Sequence, residues 1–315
     1  EYVRNFLASQ QADFNMNFQE FLKLYYEDMT PRLRENTMRN KKYIIDLKIL
    51  PYFSNKRMNG ITAADIRKWQ NELISQGYSQ TYLRTINNQL TAVFNYAVRY
   101  YDLQNNPCRK AGGMGKNKAD EMKFWTKDEF YKFIDSIMDK QKSYAAFMTL
   151  FWTGMRLGEL LALTPADIDF ENKTISISKS YQRLDGKDVI TLPKTPKSKR
   201  TITVPDFLLA DLKDYMNSIY CLEDSDRLFQ VTKYFMEHEI QRGIKNSGVK
   251  RIRIHDIRHS HCALLFEMGI TPLEVADRLG HERVETTMNV YAHIYPNKQR
   301  ALSDKLEEVY REDLQ

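Results

Sequence analysis

The chain has 315 residues, with 47 Lys and Arg against 41 Asp and Glu and a formal net charge of +6; that length makes about two domains, each with its own core. The mild basic excess suits a polyanionic partner without demanding one, and no apolar run is long enough to cross a membrane. Cys108, Cys221 and Cys262 are too few and too scattered for a disulfide scaffold or a zinc site, which points to a reduced, cytoplasmic setting.

Residues 14 to 104 read as helical. Phe18, Phe21, Leu22 and Tyr25 recur at helical spacing up to a break at Pro31. Thr37 is the expected cap of a second helix, with Tyr43, Ile44, Leu47 and Leu50 facing the core and Pro51 ending it. Thr62 opens a short helix through Ile66 and Trp69. Ser79 opens a long one through Tyr82, Ile86, Leu90, Val93, Phe94 and Val98. Arg39, Lys41, Lys42 and Arg84 lie among the polar positions, where they are either a solvated face or a side turned to a polyanion.

Residues 109 to 122 change character. Arg109, Lys110, Lys116 and Lys118 surround Gly112, Gly113 and Gly115, with little to build a core, and the segment reads as a flexible basic tether. A second domain is expected from residue 123. Thr126 followed by Glu129 is a capping box. Residues 144 to 163 form an apolar helical run interrupted at Thr153-Gly154. Thr174 to Ser178 alternates as a strand, and Val189 to Leu192 and Thr201 to Val204 look like two more flanking a basic turn. Thr271-Pro272 starts another helix and Gly280 closes it.

Several short motifs follow one another in the last half of the chain. Arg156 stands in Thr153-Gly-Met-Arg-Leu-Gly-Glu-Leu160, just after a break in an apolar run, where an arginine is costly unless it meets an anion. Its partner there is either a carboxylate such as Glu159 or an external anion. His255 and Arg258 are three residues apart in Ile254-His-Asp-Ile-Arg-His259, so on a helix they share a face. His281 follows Leu279-Gly280, and Tyr291 comes after Thr286-Thr287. The stretch Pro193-Lys-Thr-Pro-Lys-Ser-Lys-Arg-Thr201 offers Lys194, Lys197, Lys199 and Arg200 on the basic turn. No Cys/His cluster has zinc spacing, no acidic triad stands out and no phosphate-binding glycine loop is present.

Taken in order, Arg156, Lys194, His255, Arg258, His281 and Tyr291 resemble the catalytic set of the tyrosine recombinases, the phage and transposon integrases that cut and rejoin DNA. The resemblance covers roughly residues 14 to 296. It implies a mainly α chain with a small β-sheet: a helical core-binding domain over 1–108, a linker over 109–122, a mixed α/β catalytic domain over 123–296, and a C-terminal tail over 297–315. The apolar stripe of that tail, Ala301, Leu302, Leu306, Val309 and Tyr310, docks either on its own domain or on a neighbouring subunit.

It also implies a cofactor-free, metal-free and ATP-independent reaction. Arg156 and Arg258 would clamp the scissile phosphate, because a guanidinium donates two parallel hydrogen bonds and keeps its charge. Tyr291 would be the nucleophile, with Tyr295 as its rival among 19 tyrosines; a phenol ionises near pH 10, so nearby cations or a base must assist it. His255 and His281 would donate hydrogen bonds or handle protons, with the general base open between them. Lys194 would protonate the leaving oxygen, with Lys197 kept in play by the unexpected Pro196. The implied partner is double-stranded DNA, bound by a dimer or tetramer with accessory DNA-bending or excision proteins. Arg39, Lys41, Lys42, Arg84, Arg109, Lys110, Lys116 and Lys197 are the expected DNA contacts. The setting would be a bacterium or a phage, and the start at Glu1 fits removal of an upstream arm-binding domain. Three other readings stand beside this one: a chromosome-dimer-resolving recombinase, a type IB topoisomerase, and a DNA-binding regulator with a silent site.

Overall fold

The computed structural model describes residues 16–116, 122–193 and 195–294, together with Glu307, Tyr310 and Arg311. The chain divides into two compact units, Glu1–Asp120 and Glu121–Gln315. As the sequence leads one to expect, it is mainly helical with small antiparallel sheets. No described helix is long and apolar enough to cross a membrane.

The first unit consists of α1 (Phe18–Met29), α2 (Glu35–Lys48), α3 (Leu50–Phe53), α4 (Ala63–Ser75), α5 (Gln80–Tyr100) and α6 (Pro107–Ala111). Local chemistry sets several of the starts. Thr62 and Asp65 form a reciprocal capping box on α4, and Ser79 Oγ accepts the Tyr82 N–H on α5. Phe18, Phe21, Trp69 and Phe94 are buried together at the centre.

Two expectations for this unit need correcting. Helix α2 starts after Arg34, so Thr37 lies inside it, and Pro51 sits in the first turn of α3, where its missing N–H costs nothing. The face is also rotated: Met38, Ile45 and Ile49 are buried, whereas Tyr43 is 63% and Leu47 51% exposed. The helix carries two apolar stripes, and the one that continues through Ile49 faces the core. The expected tether is ordered from its start to residue 116. Cys108, Ala111 and Met114 are buried in the first core, and Gln70 Nε2 donates to the Gly112 carbonyl at 2.8 Å and to Asn87 Oδ1 at 2.9 Å. Small side chains pack here because the neighbouring helices supply both an apolar floor and amide partners for the backbone. Residues 117–121, including Lys118, lie outside the described part.

The second unit runs α7 (Lys127–Asp135), α8 (Gln141–Thr153), α9 (Leu157–Leu160), β1 (Ile168–Asp169), β2 (Thr174–Ile177), β3 (Ser180–Leu184), β4 (Lys187–Thr191), β5 (Arg200–Thr203), α10 (Asp206–Asn217), α11 (Lys233–Ser247), α12 (Ile254–Glu267), α13 (Pro272–Leu279) and α14 (Val284–Ile294). Its main core includes Trp125, Phe130, Phe133, Phe147 and Phe151. A smaller one, made of Cys262, Phe266, Val275, Leu279 and Val290, lies against Tyr291.

The strands flanking the basic turn do not pair with each other. β5 pairs with β2, with Ile202 opposite Ile175, in the sheet β1-β2-β5. β4 pairs with β3, with Ile190 opposite Tyr181, across the turn Asp185-Gly186. Both turn residues have positive φ, 48° and 79°, as an Asp-Gly hairpin turn requires. The basic turn therefore passes from one sheet to the other.

Candidate active site

Helix α8 ends at Gly154, whose φ of 64° is left-handed. A Cβ at this position would lie 2.5 Å from His261 Cδ2 and 2.6 Å from Leu279 Cδ2. Both the dihedral and the space exclude a side chain. Gly154→Ala should cost roughly 2–4 kcal/mol of stability, read from denaturant melts; a midpoint equal to wild type would mean that the loop relaxes freely.

This break delivers Arg156 to the first turn of α9. Its backbone N–H donates to Glu159 Oε2 at 2.9 Å and its Nη1 to Glu159 Oε1 at 2.7 Å. Arg200 adds a second fork on the same carboxylate, with Nη2 to Oε2 at 3.0 Å and Nη1 to Oε1 at 3.3 Å. Burial works to raise the Glu159 pKa, but Arg200 and then Arg156 outweigh it and hold the carboxyl below its ordinary value.

Arg258, on α12, is only 3% exposed. Its Nη1 donates to the Gly154 carbonyl and its Nη2 to the Leu279 carbonyl, both at 2.7 Å. These oxygens end α8 and α13, so the guanidinium sits where two helix C-termini present partial negative charge. Burial, followed by repulsion from Arg156, lowers its pKa to about 9, which leaves it charged at neutral pH.

His255 stands one turn before Arg258, and His259 stacks edge-on against it, with ring centroids 5.3 Å apart. Loss of solvent contact and the Arg258 charge lower the His255 pKa. His259 falls to about 4, through burial and then His255. His281 follows the left-handed Gly280, whose absent Cβ would meet the Lys197 carbonyl at 2.7 Å, so the basic turn rests its backbone against the Gly-His step. The His281 Nδ1 shares a 2.7 Å hydrogen bond with the buried Thr287 Oγ1. Its pKa falls to about 3, through burial and then the charges of Arg258, Arg156 and Arg200.

The structure thus brings Arg156, His255, Arg258 and His281 into one site. Tyr291 is half-buried on α14, which packs against α12 and α13, with its ring edge-on to Phe266 at 5.0 Å. Lys197 is exposed on a single 3-10 turn, Pro196–Ser198. Lys194, Tyr295 and the tail residues Ala301, Leu302, Leu306 and Val309 lie outside the described residues. Arg200 and Thr287 are participants that the motifs did not single out. A signal existed for each: Arg200 shares its strand face with the buried Ile202, and Thr287 lies at helical spacing from Val290 and Tyr291.

The basic residues of the first unit differ among themselves. Lys41 Nζ donates to Gln89 Oε1 at 2.7 Å and lies 5.3 Å from the centre of the Tyr25 ring. Lys42 lies 5.2 Å from the centre of the Tyr26 ring. Arg39, Arg84, Arg109, Lys110 and Lys116 are exposed, and the backbone at Gly115 packs against the Gln80 carbonyl and the Arg84 N–H. Among the described residues, no cluster of His, Cys, Asp and Glu is arranged to hold a metal ion.

The chain is similar to known proteins along most of its length. The family model described as the phage integrase family matches residues 123–298, and one described as the phage integrase N-terminal SAM-like domain matches residues 17–74. The chain is 34% identical over 309 residues to the ICEBs1 integrase of Bacillus subtilis, covering 94% of this chain and 84% of that protein. It is 28% identical to the integrase of Staphylococcus phage L54a, covering 81% and 82% of the two chains. Among solved structures, the Tn1549 transposon integrase in complex with a circular intermediate DNA superposes with a TM-score of 0.76 at 22% identity, over 91% of this chain and 99% of that one. A lambda integrase dimer bound to a core site gives 0.67 at 18% identity, over 87% and 95%. With the first model matching more than half of its length and a relative above 30% identity along nearly all of it, the chain belongs to the phage integrase family of tyrosine recombinases.

Proposed function

We propose that this protein is the integrase of a mobile element, and that it cuts and rejoins double-stranded DNA with Tyr291 as the nucleophile. One observation carries the reading. Two guanidinium groups, Arg156 and Arg200, share the single carboxylate of Glu159, and a third, Arg258, is close enough to feel the charges of all three while its own hydrogen bonds go to backbone carbonyls. Burial first, and then the neighbouring arginine charges, lower the pKa values of both Arg258 and His281, so the site holds more positive than negative charge out of water and suits an incoming anion. A DNA phosphate supplies that anion.

The steps follow from the chemistry of the groups. The Tyr291 oxygen attacks the scissile phosphorus. Arg156 and Arg258 neutralise the non-bridging oxygens as the five-coordinate transition state forms. The P–O5′ bond then breaks, its electron pair stays on the 5′ oxygen, and a lysine of the basic turn protonates that oxygen. The product is a 3′-phosphotyrosine and a free 5′ hydroxyl. Attack by a partner strand's 5′ hydroxyl reverses the step without ATP and forms a Holliday junction. His255 and His281, both held neutral, share the proton and hydrogen-bonding duties at the phosphate. The exposed Arg39, Arg84, Arg109, Lys110, Lys116 and Lys197 are proposed contacts to the DNA backbone, together with Lys41 and Lys42, whose ammonium groups lie near tyrosine rings. Assembly as a dimer or tetramer is supported by lambda integrase, solved as a dimer on a core site and as a tetramer on a Holliday junction.

A nicked duplex that loses the strand beyond the cut should trap a covalent complex on a denaturing gel, and two separate sites should exchange strands. Relaxation of supercoils without exchange would favour a topoisomerase, and binding without any adduct a silent regulator. The lysine is settled separately. A 5′-bridging phosphorothiolate has a leaving group that needs no proton, so it should rescue Lys194→Ala, whose loss on ordinary DNA is roughly a hundred- to ten-thousandfold, and leave Arg258→Ala inactive. Rescue of Lys197→Ala instead would assign the acid to Lys197.

A further inference from the structure

The reaction as described gives Arg200 no task of its own, yet it is among the most fully engaged side chains of the site. It opens β5 with only 7% of its side chain exposed. Its donors reach three separate pieces of the chain. Nε donates to the Arg278 carbonyl in the last turn of α13 at 3.0 Å, and Nη1 to the Ser198 carbonyl on the basic turn at 3.1 Å. The fork on Glu159 is the third, with Nη2 to Oε2 at 3.0 Å. Glu159 in turn grips Arg156 twice, through the backbone N–H and through Nη1.

We propose that Arg200 is a positioning residue for the phosphate clamp: by fixing the Glu159 carboxylate it aims the Arg156 guanidinium. This rests on reading Arg156 as a clamp for the scissile phosphate. Arg156 is the more exposed of the two arginines, and a long side chain at a surface has rotamer freedom to lose when it meets the transition state. A carboxylate locked from behind removes that freedom in advance. Arg200 suits the locking role because its planar fork engages both Glu159 oxygens while Nε and the remaining Nη1 donor reach two other elements. A lysine would serve one of these at a time. Because one of the carbonyls it holds belongs to Ser198, the same side chain fixes the turn that carries Lys197 relative to the clamp.

A purely structural staple would slow cleavage of every substrate alike. A clamp-positioning residue would not. A methylphosphonate at the scissile position replaces one charged non-bridging oxygen with a methyl group, so its transition state needs less cationic help. The test is single-turnover cleavage of nicked duplexes carrying either a phosphodiester or a methylphosphonate, by the wild type, Arg200→Gln, Arg200→Lys and Arg156→Lys. Arg200→Gln should slow phosphodiester cleavage about a hundredfold with single-site DNA affinity unchanged. The loss should shrink to under about tenfold on the methylphosphonate, in parallel with Arg156→Lys. Arg200→Lys should show the same substrate dependence, because its ammonium cannot hold both Glu159 oxygens. An equal loss on both substrates, or no loss on the phosphodiester, overturns the proposal.

If Arg200→Gln folds poorly because Glu159 is left with one cation, the paired variant Arg200→Gln with Glu159→Gln carries the test. It exchanges the buried ion pair for a neutral amide pair, and it should slow phosphodiester cleavage about a hundredfold but cleavage of the methylphosphonate by under about tenfold. Wild-type cleavage by the folded pair overturns the inference. Wild-type rates for Arg156→Lys would instead overturn the clamp reading itself, whatever Arg200 does.

Discussion

Tyr291→Phe should leave DNA binding intact and abolish the covalent protein–DNA complex. The substitution removes one oxygen. The ring's edge-on contact with Phe266 is apolar and available equally to phenylalanine, so α14 keeps its packing on the small core of Cys262, Phe266, Val275, Leu279 and Val290. Nothing else in that core offers a nucleophile: Cys262 is fully buried, and burial raises its thiol pKa to about 11. Loss of a nucleophile costs on the order of a millionfold in rate, which on a denaturing gel is no adduct at all. Tyr295→Phe should form the adduct normally. An adduct that persists in Tyr291→Phe, or vanishes in Tyr295→Phe alone, would move the nucleophile.

What the sequence revealed was what is decided within a few residues. The caps at Thr62, Ser79, Thr126 and Thr271 are all present, because each is a side-chain oxygen meeting an N–H three residues on. The phase of α2 was not legible, since its two apolar stripes are equally periodic and only the rest of the fold chooses between them. Strand pairing was hidden for the same reason. β3 reads Ser-Tyr-Gln-Arg-Leu and carries no obvious strand signature, so neither the Asp185-Gly186 hairpin nor the partner of β4 is legible from local pattern. The segment at 107–116 looked like a tether because its packing depends on Gln70 and Asn87, far upstream.

The candidate site divides in the same way. Arg156, His255, Arg258, His281 and Tyr291 were readable as short motifs in a fixed order. Arg200 was masked by the run Lys197-Ser-Lys-Arg200, in which the one buried cation looks like its solvated neighbours. Only the tertiary structure shows that Glu159 has two arginines to satisfy, and that two helix-ending carbonyls converge on Arg258. Those long-range hydrogen bonds link a set of motifs into one electrostatic centre.

The second large effect should come from Arg258→Lys, which keeps the charge and removes the fork. Arg258 spends one donor on the Gly154 oxygen and one on the Leu279 oxygen, and the proposed clamp assigns its remaining N–H groups to the phosphate. A lysine ammonium is a single point on a flexible stem and cannot span two carbonyls and an external anion at once. At least one helix-end oxygen is then left buried without a donor, at about 1–3 kcal/mol, so the melting temperature should drop. Loss of a transition-state donor costs roughly a hundred- to a thousandfold on its own, and displacement of Gly154, two residues before Arg156, disturbs the other half of the clamp. The combined fall in single-turnover cleavage should be about a thousandfold or more, well beyond what the unfolded fraction explains. The two effects are separated by measuring cleavage at a temperature where circular dichroism shows the variant fully folded. A near-wild-type rate under that condition would make Arg258 a structural tie between α8 and α13 and remove it from the clamp.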